Sequence, residues 1–263
     1  MPGDLHVDRP ADGVLRLTIS NPDKRNALDH PLLDAIAREV GSAQTAGIRA
    51  IMLTGEGGMF SSGYDIGATE DEAFEERAER LVAHPFATAI DALDACDLPV
   101  VAALTGHAIG GGLELALGCD LRLAADGVLL GMPPAKLGLV YSHTGLRRFL
   151  DVVGEARTRE LFLLGRHVTA RTAEAWGLVN AVVPERELPG LALDWTAELA
   201  ANAPLSVRGN KRVLRELLRA EGALDPAVEA ELVALRRACF TSGDFLEGVR
   251  AFSEKRPPRW RGR

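Results

Sequence analysis

Three consecutive glycines separate an apolar run from a short segment of small residues. Pro99-Val100-Val101-Ala102-Ala103-Leu104 leads into Gly106-His107-Ala108-Ile109-Gly110-Gly111-Gly112-Leu113-Glu114-Leu115-Ala116-Leu117. Glycine loses more backbone entropy on folding than any other residue, so this run implies positive φ or a close approach to the main chain. A helix starting near Gly111 would present unpaired N–H groups and a partial positive charge, which suit an oxyanion. Glu114 then falls in the first helical turn, beside whatever binds there. A second glycine turn, Phe60-Ser61-Ser62-Gly63-Tyr64-Asp65-Ile66, precedes it in the chain. The chemistry this suggests is a negative charge developing on an oxygen, with a carboxylate close by.

The elements around these turns alternate between strand and helix. Val14–Ile19 reads as a strand, followed by the loop Asn21-Pro22-Asp23-Lys24-Arg25-Asn26 with its two adjacent cations. Helical spacing of Leu32, Leu33, Ile36, Ala37 and Val40 predicts a helix over 30–46, and a second strand follows over 49–54. A long acidic helix is expected over 69–95, kinked at Pro85. Short strands are expected over 120–125, 128–131 and 178–183, and the stretch 132–141 reads as an irregular loop punctuated by proline and glycine. Helices are expected over 145–152, 155–163 and 170–176, then over 191–201, 205–220, 226–241 and 245–255.

The chain has 263 residues, of which 47% are hydrophobic and 25% charged, enough for a large core. Its formal net charge of −7 argues against a general affinity for nucleic acid or anionic membranes. The start has no apolar signal-peptide core, and no apolar run is long enough to span a bilayer. Cys96, Cys119 and Cys239 are few and scattered, as expected for reduced thiols in a cytoplasmic protein. No phosphate-binding or dinucleotide glycine motif, no nucleophile elbow and no metal-ligand spacing is found.

In order and spacing, the two glycine turns resemble those of the crotonase superfamily, the enoyl-CoA hydratase/isomerase group. The resemblance continues through Cys119–Ala124, 170–183 and 248–260, nearly the whole chain. It implies an α/β fold, a spiral of ββα units over 1–190 carrying an acyl-CoA site. A helical segment over 191–263 then serves oligomerisation, as a homotrimer or dimer of trimers, and CoA contact. The substrate it implies is an acyl-CoA thioester, with coenzyme A as part of the substrate and no other cofactor or metal. It also implies that the backbone N–H groups of Tyr64 and Gly111 hold the thioester oxygen as it becomes an enolate, a task suited to donors that are already oriented. Substrate or CoA contacts are implied for Lys24, Arg25 and Ala27, for Ser62, Gly63, Asp65 and Ile66, for Gly110, Pro134 and Leu139, and for Phe252 and Lys255 on one face of the last helix.

One departure bears on the reaction. Hydratases of this group resemble one another in a second glutamate 20 residues after the first, the pair serving to activate water and deliver a proton. Here Glu114 is present, but the later position is Pro134. The surrounding loop, Met132-Pro133-Pro134-Ala135-Lys136-Leu137-Gly138-Leu139-Val140-Tyr141, and the ending 243–256 resemble methylmalonyl-CoA decarboxylase, although that relative has histidine in place of Tyr64. Decarboxylation needs an enolate trap but no base, so the sequence favours loss of CO₂ from a malonyl-type thioester, and the resemblance implies a place for Tyr141 beside the substrate carboxylate. Hydration or isomerisation of an enoyl-CoA is the alternative, and a non-catalytic acyl-CoA- or RNA-binding role a remote one. Structural readings stand beside these: Glu114 as a carboxylate favoured by the helix dipole, Tyr141 as a core-edge tyrosine, His107 as a packed histidine and Lys24 and Arg25 as solvated charges.

Overall fold

In a computed structural model of the chain, the described residues are 3–65, 86–137, 140–220 and 225–263. β1 (Asp4–Ala11) and β2 (Val14–Ser20) form an antiparallel hairpin. β2 alternates as expected, sending Leu15, Leu17 and Ile19 into the core. β1 has no counterpart in the sequence reading. It is a mostly exposed edge strand of polar residues, so it lacks the apolar alternation by which strands are recognised. α1 (His30–Ala43) is capped by Asp29, whose carboxylate accepts from Leu32 N at 3.0 Å, and it buries Leu32, Leu33, Ile36 and Val40.

Next come β3 (Ala50–Gly55), β4 (Met59–Ser61), α2 (Ala87–Ala95), β5 (Val100–Leu104), β6 (His107–Ile109), α3 (Gly111–Leu117), β7 (Leu121–Ala125) and β8 (Leu129–Gly131). Most of the acidic helix expected over 69–95 lies outside the described residues, and α2 is its end. Among the described residues, one sheet has the order β1-β2-β3-β5-β7-β10 and a smaller one the order β4-β6-β8-β9. Successive strand pairs (β3 and β4, β5 and β6, β7 and β8) send the first strand to the large sheet and the second to the small one. This is the expected spiral. β5 is apolar and buried along its length because parallel neighbours flank it, Ile51 pairing with Val100 and Val101 with Leu121.

The remaining elements are α4 (Pro134–Leu137), α5 (His143–Arg159), a π turn over 160–164, β9 (His167–Thr169), α6 (Ala170–Ala175), β10 (Ala181–Val183), α7 (Leu188–Ala201), α8 (Pro204–Arg219), α9 (Pro226–Thr241) and α10 (Gly243–Glu254). The two helices expected over 145–163 are one element bent at Gly154, where φ is +74°. The stretch 132–141 contains the single turn α4. α7 packs on β3 and β5, burying Leu188, Ala192, Thr196 and Ala200. The helical ending therefore begins as a cover of the sheet, which its apolar face required.

The tail after α10 is tied back by polar contacts. Asp244 accepts from Arg261 N at 2.6 Å and Gly262 N at 2.8 Å, and Trp260 Nε1 donates to Ala201 O at 2.6 Å. Asp244 is itself buried. Asp244→Ala leaves both amides without their acceptor and is expected to destabilise the fold by about 1–3 kcal/mol, read by urea unfolding. A change below a few tenths would show that the tail is not clasped.

Candidate active site

Parallel pairing decides where the two glycine turns meet. β4 and β6 align Met59 with His107 and Ser61 with Ala108, and β6 and β8 align Ile109 with Gly131. The chain therefore leaves all three strands at one edge. Gly63 has φ +100° and Gly110 φ +57°, conformations that L side chains rarely adopt. A Cβ at Gly63 would lie 3.2 Å from Gly111 N, so the turns are in contact. The first turn is gripped from the Lys24–Leu28 loop: Leu28 N donates to Gly63 O at 2.8 Å, Asp65 N to Leu28 O at 2.9 Å and Ser62 N to Arg25 O at 3.1 Å. Asn26 braces the loop by donating to Met59 O at 2.6 Å and Glu56 O at 2.9 Å. Among the described residues, neither Tyr64 N–H nor Gly111 N–H donates a hydrogen bond. Two free amides at the contact of two turns can bind an oxyanion.

Glu114, on α3, is 3% exposed and faces this edge. The Tyr141 hydroxyl donates to its Oε2, and the Tyr64 hydroxyl lies 3.3 Å from the same oxygen and 3.0 Å from the Tyr141 hydroxyl. Its other oxygen, Oε1, accepts no hydrogen bond among the described residues and lies 4.0 Å from Arg148 Nε. Burial pushes the Glu114 carboxyl above its ordinary value, against the two phenols and Arg148, which favour the charged form. Burial also pushes both phenols up, and the neighbouring carboxylate adds to this, so they stay protonated donors. Edge-to-face contacts fix the rings: Tyr64 on Phe86 with centroids 4.7 Å apart, and Tyr141 on Phe162 at 5.5 Å.

The structure thus brings Tyr64, Gly111, Glu114 and Tyr141 together, with Gly63 and Gly110 at the turns and Ala27, Ser62 and Asp65 in the segments that hold them. Lys24 contacts Asp65 at 2.6 Å and is half-exposed, and Arg25 sits beside it with φ +55°. Pro134 is buried at the start of α4, so no acid stands at that position. Ile66 and Leu139 lie outside the described residues, as does the side chain of Phe252. Lys255 requires a correction. α10 ends at Glu254, Lys255 turns left-handed with φ +51°, and Arg256 N donates back to Ala251 O at 3.1 Å. This is a helix-ending motif, so Lys255 shares no helical face with Phe252. His107 is a packed histidine that accepts from Leu129 N at 3.0 Å.

Sequence reasoning overlooked Arg148, Asp94 and Gly145. A signal existed: Gly145 and Phe149 are four apart on the inward face of α5, and Arg148 is beside them. Their partners, however, lie on distant elements. Among the described residues, no cluster of three or more His, Cys, Asp or Glu side chains could hold a metal, and no helix is long and apolar enough to cross a membrane.

Residues 9–263 match the family model described as enoyl-CoA hydratase/isomerase. The chain belongs to that family. It is 34% identical over 252 residues to a probable enoyl-CoA hydratase of Mycobacterium tuberculosis, covering 96% of this chain and 97% of that protein. It is 33% identical over 258 residues to the 2,3-dehydroadipyl-CoA hydratase of Escherichia coli, covering 95% and 96%. Among solved structures, an enoyl-CoA hydratase from Bacillus anthracis superposes with a TM-score of 0.89 at 29% identity, covering 98% of this chain and 99% of that one. The enoyl-CoA hydratase/isomerase family explains the paired turns and an acyl-CoA substrate. None of the relatives named here is a decarboxylase.

Gly145 tests the packing around the carboxylate. A Cβ there would lie 2.6 Å from Tyr141 Cε1 and 2.9 Å from Glu114 Oε1. Gly145→Ala is expected to cost about 1–3 kcal/mol in chemical unfolding and to displace Tyr141 in a crystal structure. A neutral substitution with Tyr141 unmoved would contradict the packing described.

Proposed function

We propose that this chain shifts the double bond of an enoyl-CoA by moving a proton with Glu114. The single observation that carries this reading is that, among the described residues, one buried carboxylate stands beside the paired turns, with Oε2 engaged by two phenols and Oε1 accepting no hydrogen bond. Glu114 takes a proton from the α-carbon of a 3-enoyl-CoA. The C–H electrons pass into a dienolate whose oxygen is held by the N–H groups of Tyr64 and Gly111. The same carboxyl returns the proton to the γ-carbon, giving the 2-enoyl-CoA with no water consumed. Hydration by a carboxylate pair would need a second acid where Pro134 stands.

Decarboxylation of a 2-carboxyacyl-CoA, the reading favoured by the sequence, retains one supporting observation, the proline at 134. It asks Tyr141 to meet a substrate carboxylate, yet that hydroxyl donates to Glu114, and a second carboxylate would stand next to the first. The proton-transfer reading uses both groups as they lie.

Acyl-CoA substrates in D₂O are expected to exchange their α-protons, and Glu114→Gln to slow this by about 10²–10⁴-fold. Because Glu114 works ionised and burial raises its pKa, kcat/KM should fall with decreasing pH along a limb above the ordinary glutamate value of about 4.3. Turnover confined to 2-carboxyacyl-CoA with release of CO₂, or exchange that survives Glu114→Gln, would overturn the assignment.

Assembly into oligomers is supported by α8, where Leu214, Leu217 and Leu218 are each more than half exposed. Such a row is read as a contact between copies in a homotrimer or dimer of trimers. Sedimentation should give three or six times the chain mass, and a monomer at micromolar concentration would refute it.

A further inference from the structure

Arg148 has a part that the proton transfer does not yet use. Both its terminal nitrogens are taken by Asp94, Nη1 to Oδ1 at 3.0 Å and Nη2 to Oδ2 at 2.7 Å. This fork-to-fork pairing leaves Nε, which is buried and has no hydrogen-bond partner among the described residues. Nε faces Glu114 Oε1 across 4.0 Å, too far for a hydrogen bond and close enough for strong charge interaction in a site this buried. Asp94 is anchored in turn, its carbonyl accepting from Arg215 Nη1 at 2.8 Å.

We propose that Arg148 is a positioning residue for the reaction: pinned by Asp94, it holds the charge of Glu114 and keeps Oε1 as the oxygen that moves the proton. The two oxygens of one carboxylate then divide the work. Oε2 is anchored by the phenols of Tyr64 and Tyr141, while Oε1, packed beside Gly145 and facing the charge of Arg148, accepts no hydrogen bond among the described residues and keeps its lone pairs for a carbon-bound proton. A hydrogen bond from Nε to Oε1 would instead occupy the lone pair that the proton must reach. The Asp94 clamp prevents that by fixing the guanidinium at its far edge.

The charged and titratable groups facing Glu114 among the described residues are Tyr64 after β4, Tyr141 before α5, Arg148 on α5 and Asp94 on α2, with Asp91 acting on Arg148 from the same helix. Arg148 favours the ionised carboxyl and Asp94 opposes it. Removing each therefore moves the titration of Glu114 in opposite directions, a signature that loss of packing does not produce.

This inference rests on Glu114 as the proton carrier, but its test needs no turnover. The infrared carboxyl band of Glu114 in the full-length protein, identified by its absence in Glu114→Gln, is followed against pH. Arg148→Met is expected to raise the midpoint by about one to two pH units, and Asp94→Asn to lower it. Arg148→Lys, which keeps the charge, should recover most of the Arg148→Met shift. Unmoved midpoints, or shifts of the same sign in both variants, overturn the proposal. If Arg148→Met does not fold, the downward shift of Asp94→Asn and the near-native midpoint of Arg148→Lys decide it. Shifted midpoints in a protein without isomerase activity would sink the reaction assigned above and leave the role of Arg148 standing.

Discussion

Keeping a carboxylate out of water is the constraint on which the site depends. An isolated buried charge is expensive, so Glu114 must either be neutral or be surrounded by groups that stabilise its ionised form. Here those groups come from separate elements: Tyr64 from the turn after β4, Tyr141 from the segment before α5, and Arg148 from α5 itself. None is next to Glu114 in sequence, so the carboxylate can sit where it does only in the completed fold. The aromatic contacts serve the same end. Phe86 and Phe162 hold the two rings edge-on, and Phe162 packs edge-on against the fully buried Phe149 with centroids 5.0 Å apart. The phenols are thus donors with little freedom to turn away.

The amides meet a different requirement. A backbone donor can be aimed only by bending the main chain, and the bend must survive in the folded state. At the first turn, Gly63 adopts φ +100°, and hydrogen bonds from Leu28 and Ser62 grip the chain on either side of it. At the second, Gly110 adopts φ +57°, and its N–H donates to Gly131 O at 2.9 Å. Parallel pairing of β4 and β6 then carries the two bends to the same place. The placing of the two amides is therefore a property of sheet register rather than of the side chains around the pocket.

This explains what could be read from the sequence. The glycine turns and Glu114 were legible because their signals are local: glycine where φ is positive, and a carboxylate one turn into a helix. The resemblance to a family supplied the spiral. The Asp94–Arg148–Glu114 arrangement was not legible, because Asp94 and Arg148 are separated by 54 residues and stand on different helices, α2 and α5, that only the fold brings within reach of each other. β1 escaped notice because an edge strand need not alternate, and α4 because a single turn at Pro134 carries no periodicity. Lys255 was misassigned for a related reason. Its left-handed conformation ends α10 without the glycine that usually announces such an ending.

A fold shared by many acyl-CoA enzymes does not by itself choose a reaction. The backbone pair is indifferent to how the enolate arises, since it meets only the oxygen. The choice is left to the side chains that face the carbon, and there a proline occupies the position of a second acid while two phenols and an arginine converge on the first. A hydratase needs one group to activate water and another to deliver a proton. A carboxylate whose Oε2 is anchored and whose Oε1 accepts no hydrogen bond among the described residues can do both halves of a proton shift alone, because removal and return are the same transfer run in opposite directions. With one carboxyl group facing the paired turns among the described residues, a reaction that consumes no water asks least of this site.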